Sequence, residues 1–197
     1  MPRRYTLGKR ATQVAETRRR ILDAAAALYQ ERGVTRTTMQ EVARRADVAP
    51  GTVVNHFASS DALARAVVDE VVGSLRLPRD DVFAGLETVP ERVARLAYEL
   101  FAFYDRSAPW YGVYAREPNG VPAWADAEVA FYDEFERLIR SALGPLAADE
   151  SALAAVFAML AGETYSTLRA RGLGASDAAA LVVEMLSPWL ERKVAFQ

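Results

Sequence analysis

The stretch TTMQEVARRADVAPGTVVNHFASSDAL, residues 37–63, holds two short apolar-periodic runs with a turn between them. In the first run Thr38 stands where an N-cap would, and Met39, Val42 and Ala43 share one side at helical spacing. Asp47 then marks the turn, since a short polar side chain tolerates left-handed backbone, though less readily than glycine. In the second run Pro50 suits the first turn of a helix, Gly51 lets backbone approach closely, and Thr52 offers a hydroxyl and a methyl. Val48 and Val53 form the inward apolar pair, and the small Ala43 lets the two helices cross closely. Two short helices joined by a tight turn make a helix-turn-helix. The stretch also carries His56, the single histidine of the 197 residues. No recognisable nucleophile motif accompanies it. The chain has neither a second histidine nor a cysteine to complete a metal site, so no catalytic residue and no metal are expected.

Outward from this stretch the helical period continues. In ETRRRILDAAAALYQERG, Ile21, Ala24, Ala25, Leu28 and Tyr29 fall on one face and Gly33 stops the run. SSDALARAVVDEVVGSL starts at a cap near Ser59 or Ser60. A Gly/Pro/Asp-bearing segment, RLPRDDVFAGLETVP, precedes five further helical stretches: a short one near 80–86, then 90–108, 122–143, 149–172 and 176–194. Strand-like alternation, repeats and low-complexity tracts are lacking. The pattern predicts an all-α protein with a basic flexible arm at 1–14, a three-helix head containing the helix-turn-helix at 15–60, and a larger helical body at 61–197. No apolar run approaches the ~18 residues of a membrane span, and the basic N-terminus has no apolar core of an export signal, so a cytoplasmic location is expected.

Charge follows the same division. Residues 1–60 hold 11 Lys/Arg against 5 Asp/Glu, and residues 61–197 hold 13 against 21. A basic head on an acidic body suits a polyanion, although a solvated charged surface gives the same counts. Arg3, Arg4, Lys9, Arg10, Arg18, Arg19 and Arg20 lie in or next to the arm and suit phosphates or a minor groove, or simply solubility.

Residues 15–66, through LYQERGVTRT, Ala43, Gly51-Thr52, His56-Phe57 and Leu63, resemble the tetracycline-repressor (TetR/AcrR) family of bacterial transcriptional regulators. The resemblance implies a homodimer on a palindromic double-stranded DNA operator, released by a small-molecule effector. It places Gln40, Pro50, Gly51 and Thr52 nearest the bases and Arg36, Thr38, Asn55 and His56 near phosphate. Gln40 also suits a solvated helix position. Four positions depart from the family's habit: Asp47 for a turn glycine, Ala49 for a capping serine, Val54 for an aromatic residue, and Ser60 for a phosphate-binding lysine.

Eleven of the 19 aromatic residues fall within residues 98–135. Aromatic residues at helical spacing are usually core, but SAPWYGVYAREPNGVPAW is broken by Pro and Gly and suits a pocket wall. Tyr98, Phe101, Tyr104, Trp110, Tyr111, Tyr114, Trp124, Phe131, Tyr132 and Phe135 are the candidate effector contacts. Glu99, Asp105, Glu117, Glu128 and Glu163 would favour a cationic or hydrogen-bonding ligand. No cofactor motif is present. The stripe Leu153, Val156, Phe157, Leu160, Ala161 and the C-terminal Leu186, Trp189, Leu190, with a kink expected at Pro188, are candidate self-association surfaces or intrachain core. Two alternatives stay open: a helical interaction protein with a weakened DNA-binding head, and an all-α enzyme.

Overall fold

A computed structural model describes residues 3–114, 117 and 121–196, with side chains from residue 10 onward except that of residue 123. Among the described residues there are nine α-helices and no strand. The helices are α1 (Arg3–Arg32), α2 (Met39–Arg45), α3 (Pro50–His56), α4 (Ser60–Ser74), α5 (Val89–Tyr114), α6 (Pro122–Leu143), α7 (Glu150–Leu160), α8 (Gly162–Ala170) and α9 (Ala175–Ala195). They form two compact units. The first contains Met1–Ser74 and Pro109–Ala127; the second contains Leu75–Ala108 and Glu128–Gln197.

In the first unit the predicted face of α1 is buried throughout: Ile21, Ala24, Ala25, Leu28 and Tyr29 are each at most 6% exposed. Val42 and Ala43 of α2, Val53 of α3, and Leu63, Ala64, Val67, Val68 and Val71 of α4 are buried as well. Burial of Tyr29, followed by the charge of Asp61, pushes its phenol up to about 12. Residues 3–14 continue α1 rather than forming a separate loop. ATQVAE has neither Pro nor Gly to stop a helix that the following Ile21–Tyr29 face anchors by burial. The first unit also takes in Pro109–Ala127, where Val113, Val121 and Trp124 are buried.

The second unit has one apolar core. Val93, Leu96, Ala97, Leu100 and Phe101 of α5 meet Phe135, Leu138, Ile139, Ala142 and Leu143 of α6 there. Residues of α7 and α9 complete it. A capping box starts α5, with Thr88 N–H and hydroxyl donating to Glu91 Oε2 at 3.0 and 2.8 Å. Three sequence expectations change here. Helix α5 runs through Pro109 to Tyr114, so SAPWYGVY is helical. The run 149–172 divides at Ala161, whose ψ of 154° breaks the ladder into α7 and α8. Carbonyls freed there are met by side chains: Thr164 hydroxyl donates to Ala158 O at 2.7 Å and Tyr104 hydroxyl to Leu160 O at 3.1 Å. The short element near 80–86 is a 3₁₀ turn at Asp80–Phe83. Pro188 lies inside α9.

Candidate nucleic-acid interface

The site begins where α1 ends. Gly33 takes a left-handed φ of +92°, and its N–H bonds to Tyr29 O at 2.8 Å. A four-residue turn leads to Thr38, which caps α2. Thr38 Oγ1 accepts from Glu41 N–H at 3.3 Å while Glu41 Oε2 accepts from Thr38 N–H at 2.9 Å. Thr38 N–H, then its hydroxyl, holds the Glu41 carboxyl below its ordinary range, helped by Arg32 Nη1 at 2.7 Å. Thr38, expected near phosphate, therefore already spends its hydroxyl on the capping box.

The turn between α2 and α3 ends α2 with a paired set of backbone bonds. Val48 N–H reaches Ala43 O at 3.0 Å and Asp47 N–H reaches Arg44 O at 3.3 Å, with Asp47 at φ 53°. Asp47 thus holds the left-handed position that glycine would take without strain. Arg20 supports it: its guanidinium donates to Ala46 O and, at 2.8 Å, to Asp47 O. Arg18 lies 5.1 Å over the ring of buried Phe57. The Arg18–Arg20 cluster read as part of the phosphate-binding arm is in this way partly engaged within the head. The side chains of Arg3, Arg4 and Lys9 lie outside the described residues.

Pro50 opens α3, and its N-cap Ala49 contributes no side-chain bond. Val53 points inward at 0% exposure, whereas Pro50, Gly51, Val54 and Asn55 are exposed and Thr52 and His56 half-buried. A Cβ added at Gly51 would meet nothing within 4 Å. Arg36 and Gln40 are exposed, Arg36 on the α1–α2 turn and Gln40 in the first turn of α2. Ser59 caps α4 through Ala62 N–H at 3.1 Å, so Ser60 is the exposed first residue of that helix. An outward face of α3 beside an exposed first turn of α2 is an arrangement able to lie against a groove edge.

The ten aromatic candidates are shared between the two units. Trp110, Tyr111, Tyr114 and Trp124 belong to the first, with Trp110 and Trp124 at 6.0 Å between ring centroids. Trp124 Nε1 is buried with no hydrogen-bond partner among the described residues. Tyr98, Phe101, Tyr104, Phe131, Tyr132 and Phe135 belong to the second. Phe101 and Phe135 are at 0% exposure and pack as core, Phe135 edge-on to Phe157 at 4.8 Å. Tyr98 and Tyr132 are exposed. A groove of about 680 Å³ between α1 and α4 is lined by Arg18, Arg19, Asp69 and Glu70 with smaller residues, and by none of the ten aromatics. Three of the acidic candidates have partners within the chain. Asp105 accepts from Tyr165 hydroxyl at 2.7 Å and lies 3.6 Å from Arg169; Glu99 lies 3.7 Å from Arg95; Glu117 binds the α1–α2 turn. Burial, then Asp105, pushes the Tyr165 phenol up to about 12.

Of the expected self-association stripe, Leu153, Val156, Leu160, Leu186 and Leu190 are buried as intrachain core, whereas Phe157, Ala161 and Trp189 are half-buried. Leu181, Met185 and Val194 are the exposed large apolar residues of α9, at 37%, 60% and 45%. No helix is long and apolar enough to cross a membrane, and no His/Cys/Asp/Glu group of metal-holding form occurs among the described residues.

Residues 21–67 match the family model described as bacterial regulatory proteins, tetR family. The A-factor receptor protein of Streptomyces griseus is 36% identical over 74 residues, 38% of this chain and 26% of that protein. The HTH-type transcriptional regulator BetI of Rhizobium meliloti is 32% identical over 123 residues, 61% of this chain and 52% of that one. The chain thus spans about half or less of these curated relatives. Among solved structures, the putative transcriptional regulator from Pseudomonas aeruginosa PAO1 superposes with a TM-score of 0.68 at 17% identity, over 91% of this chain and 93% of that one. That likeness is one of fold.

Proposed function

We propose that this chain, whose residues 21–67 match the model of the tetR family of bacterial regulatory proteins, is a ligand-responsive, DNA-binding transcriptional repressor. The observation that carries the reading is the exposed face of α3, Pro50, Gly51, Val54 and Asn55, held by a buried Val53 and by the bonded turn at Asp47. Gln40, Pro50, Gly51 and Thr52 approach the bases; Arg36, Asn55, His56 and Ser60 lie along phosphates, and Thr38 orients α2. A glutamine placed against adenine makes paired hydrogen bonds, a contact of ~1–3 kcal/mol of discrimination.

Two copies are needed for a palindromic operator, with half-sites about one DNA turn, ~34–36 Å, apart. The exposed Leu181 and Met185 on α9 support a homodimer through that helix. A small-molecule effector releases the DNA, and the protein acts where the DNA is, in the cytoplasm. The Trp110–Trp124 pair, with its buried indole N–H, supports an effector that brings a hydrogen-bond acceptor to an aromatic surface.

The test is Gly51→Glu. An added side chain meets open space, so the unfolding free energy should stay within about 0.5 kcal/mol of the parent, as for surface substitutions generally. A carboxylate there would bring bulk and negative charge into the groove of a polyanion. Binding to a duplex selected from a randomised pool by the parent protein should disappear. Unchanged affinity in a gel-shift titration removes α3 from the groove.

A further inference from the structure

Glu117 is the buried charged side chain of the described residues, at 9% exposure, and the DNA-reading surface above does not use it. Its backbone is fixed from one side, where its N–H bonds to Tyr114 O at 3.2 Å, at the end of α5. Its carboxylate is fixed from the other. Oε1 accepts from the N–H of Val34 and Oε2 from the hydroxyl of Thr35 at 2.7 Å. These partners lie more than eighty positions earlier in the chain. Gly33 makes the fit possible, because a Cβ there would come within 2.5 Å of Glu117 Oε1. Burying a carboxylate is costly unless its oxygens are paired; here each oxygen has a donor. The held segment is the turn between α1 and α2. That turn carries exposed Arg36, ends at Thr38, the cap of α2, and leads to Gln40.

We propose that Glu117 is a positioning residue for DNA recognition: its carboxylate holds residues 33–38 in the geometry that presents Arg36 and the first turn of α2 to DNA. The proposal rests on the reading of the first unit as a DNA reader. Electrostatics gives it a distinctive sign. Deleting a negative charge near a polyanion site should, by field alone, strengthen binding. A positioning role predicts weaker binding. Glu117 itself contacts no phosphate, but the Arg36 it positions does on this reading, so the salt slope of affinity should flatten by up to ~0.9 for each displaced Arg36.

The experiment uses the full chain as parent, Glu117→Ala, Glu117→Gln and Thr35→Val. Each is titrated with the duplex selected from a randomised pool by the parent, across a salt series, and followed by amide hydrogen exchange. Glu117→Ala should bind at least about tenfold more weakly, the scale of one lost hydrogen bond to a charged group, with a salt slope flatter by up to ~0.9 per subunit. Glu117→Gln keeps an acceptor oxygen and should fall between. Exchange should quicken at Val34 to Thr38 while α3 and α4 keep their protection. Glu117→Ala binding as tightly as the parent, or more tightly, overturns the proposal. So does a loss of protection spread evenly over α1 to α4, which would make Glu117 a general stabiliser. If Glu117→Ala does not fold, Glu117→Gln and Thr35→Val decide, and parent-like binding by both overturns it. A parent that enriches no duplex overturns the DNA reading and this role together. In that case exchange still reports separately whether Glu117 orders the turn.

Discussion

Arg20 sits in α1, yet its guanidinium ends on the carbonyls of Ala46 and Asp47, with the Asp47 carboxylate 3.8 Å away. The turn lacks the glycine that would take a positive φ freely, and Arg20 offsets part of that strain by satisfying the carbonyls at the end of α2. Arg20→Ala should therefore lower stability by about 1 kcal/mol, a charge-assisted bond discounted for its exposure. Asp47→Gly removes the strain, so in its background Arg20→Ala should cost measurably less. A cycle of thermal melts on the two single variants and the double variant checks this; strict additivity would separate Arg20 from the turn. In the sequence Arg20 reads as one more basic residue before a helix face. Nothing at a spacing of 26 or 27 residues signals a carbonyl partner. Thr38 was legible because its partner, Glu41, lies three residues away in a capping box.

Element ends show the same dependence on distance. Ser59 and Gly33 announce themselves locally, as did the buried face of α1, because a cap or an apolar stripe is written within one or two turns. The passage of α5 through Pro109 and the break at Ala161 were not legible. Proline ordinarily ends a helix, and an Ala-Gly pair ordinarily does not. At the start of α7, local and distant effects combine. Asp149 accepts from Ser151 and Ala152 N–H at 2.9 and 3.2 Å, and takes Lys193 Nζ of α9 at 2.7 Å. Lys193, followed by Ser151, holds its carboxyl well below the usual carboxylate range. A group with a depressed folded pKa contributes stability above its unfolded pKa and loses it as pH falls through the folded value. Asp149→Asn keeps a capping oxygen but cannot ionise. It should melt below the parent near neutral pH, and the gap should narrow below about pH 4, where the unfolded aspartate begins to protonate. Melting temperatures of both proteins across that range check it; a gap constant with pH would detach the Lys193 pair from stability.

On the scale of the whole molecule, the all-α class and the helix-turn-helix were legible, and the segment Pro109–Ala127 was not. Its aromatic residues and broken composition give no sign that it packs within the first unit, tied by Glu117 to Thr35 and by Asp126 to Arg65 at 2.8 Å. Both ties join residues far apart in the chain, beyond the reach of any periodic pattern. A fragment ending at Ser74 lacks them. It should melt at a lower temperature than the full chain, and its Val34 and Thr35 amides should exchange faster. Equal exchange in fragment and full chain would show that the head folds complete without the later segment. The same tie sets an order of events during synthesis. Val34 leaves the ribosome 83 residues ahead of Glu117, a lag of roughly 4–17 s at ~5–20 residues per second. Through that interval the nascent head lacks the carboxylate that accepts from Val34 and Thr35 in the full chain. On the proposed role of Glu117, a newborn chain would gain its full DNA-reading geometry only once residue 117 has emerged.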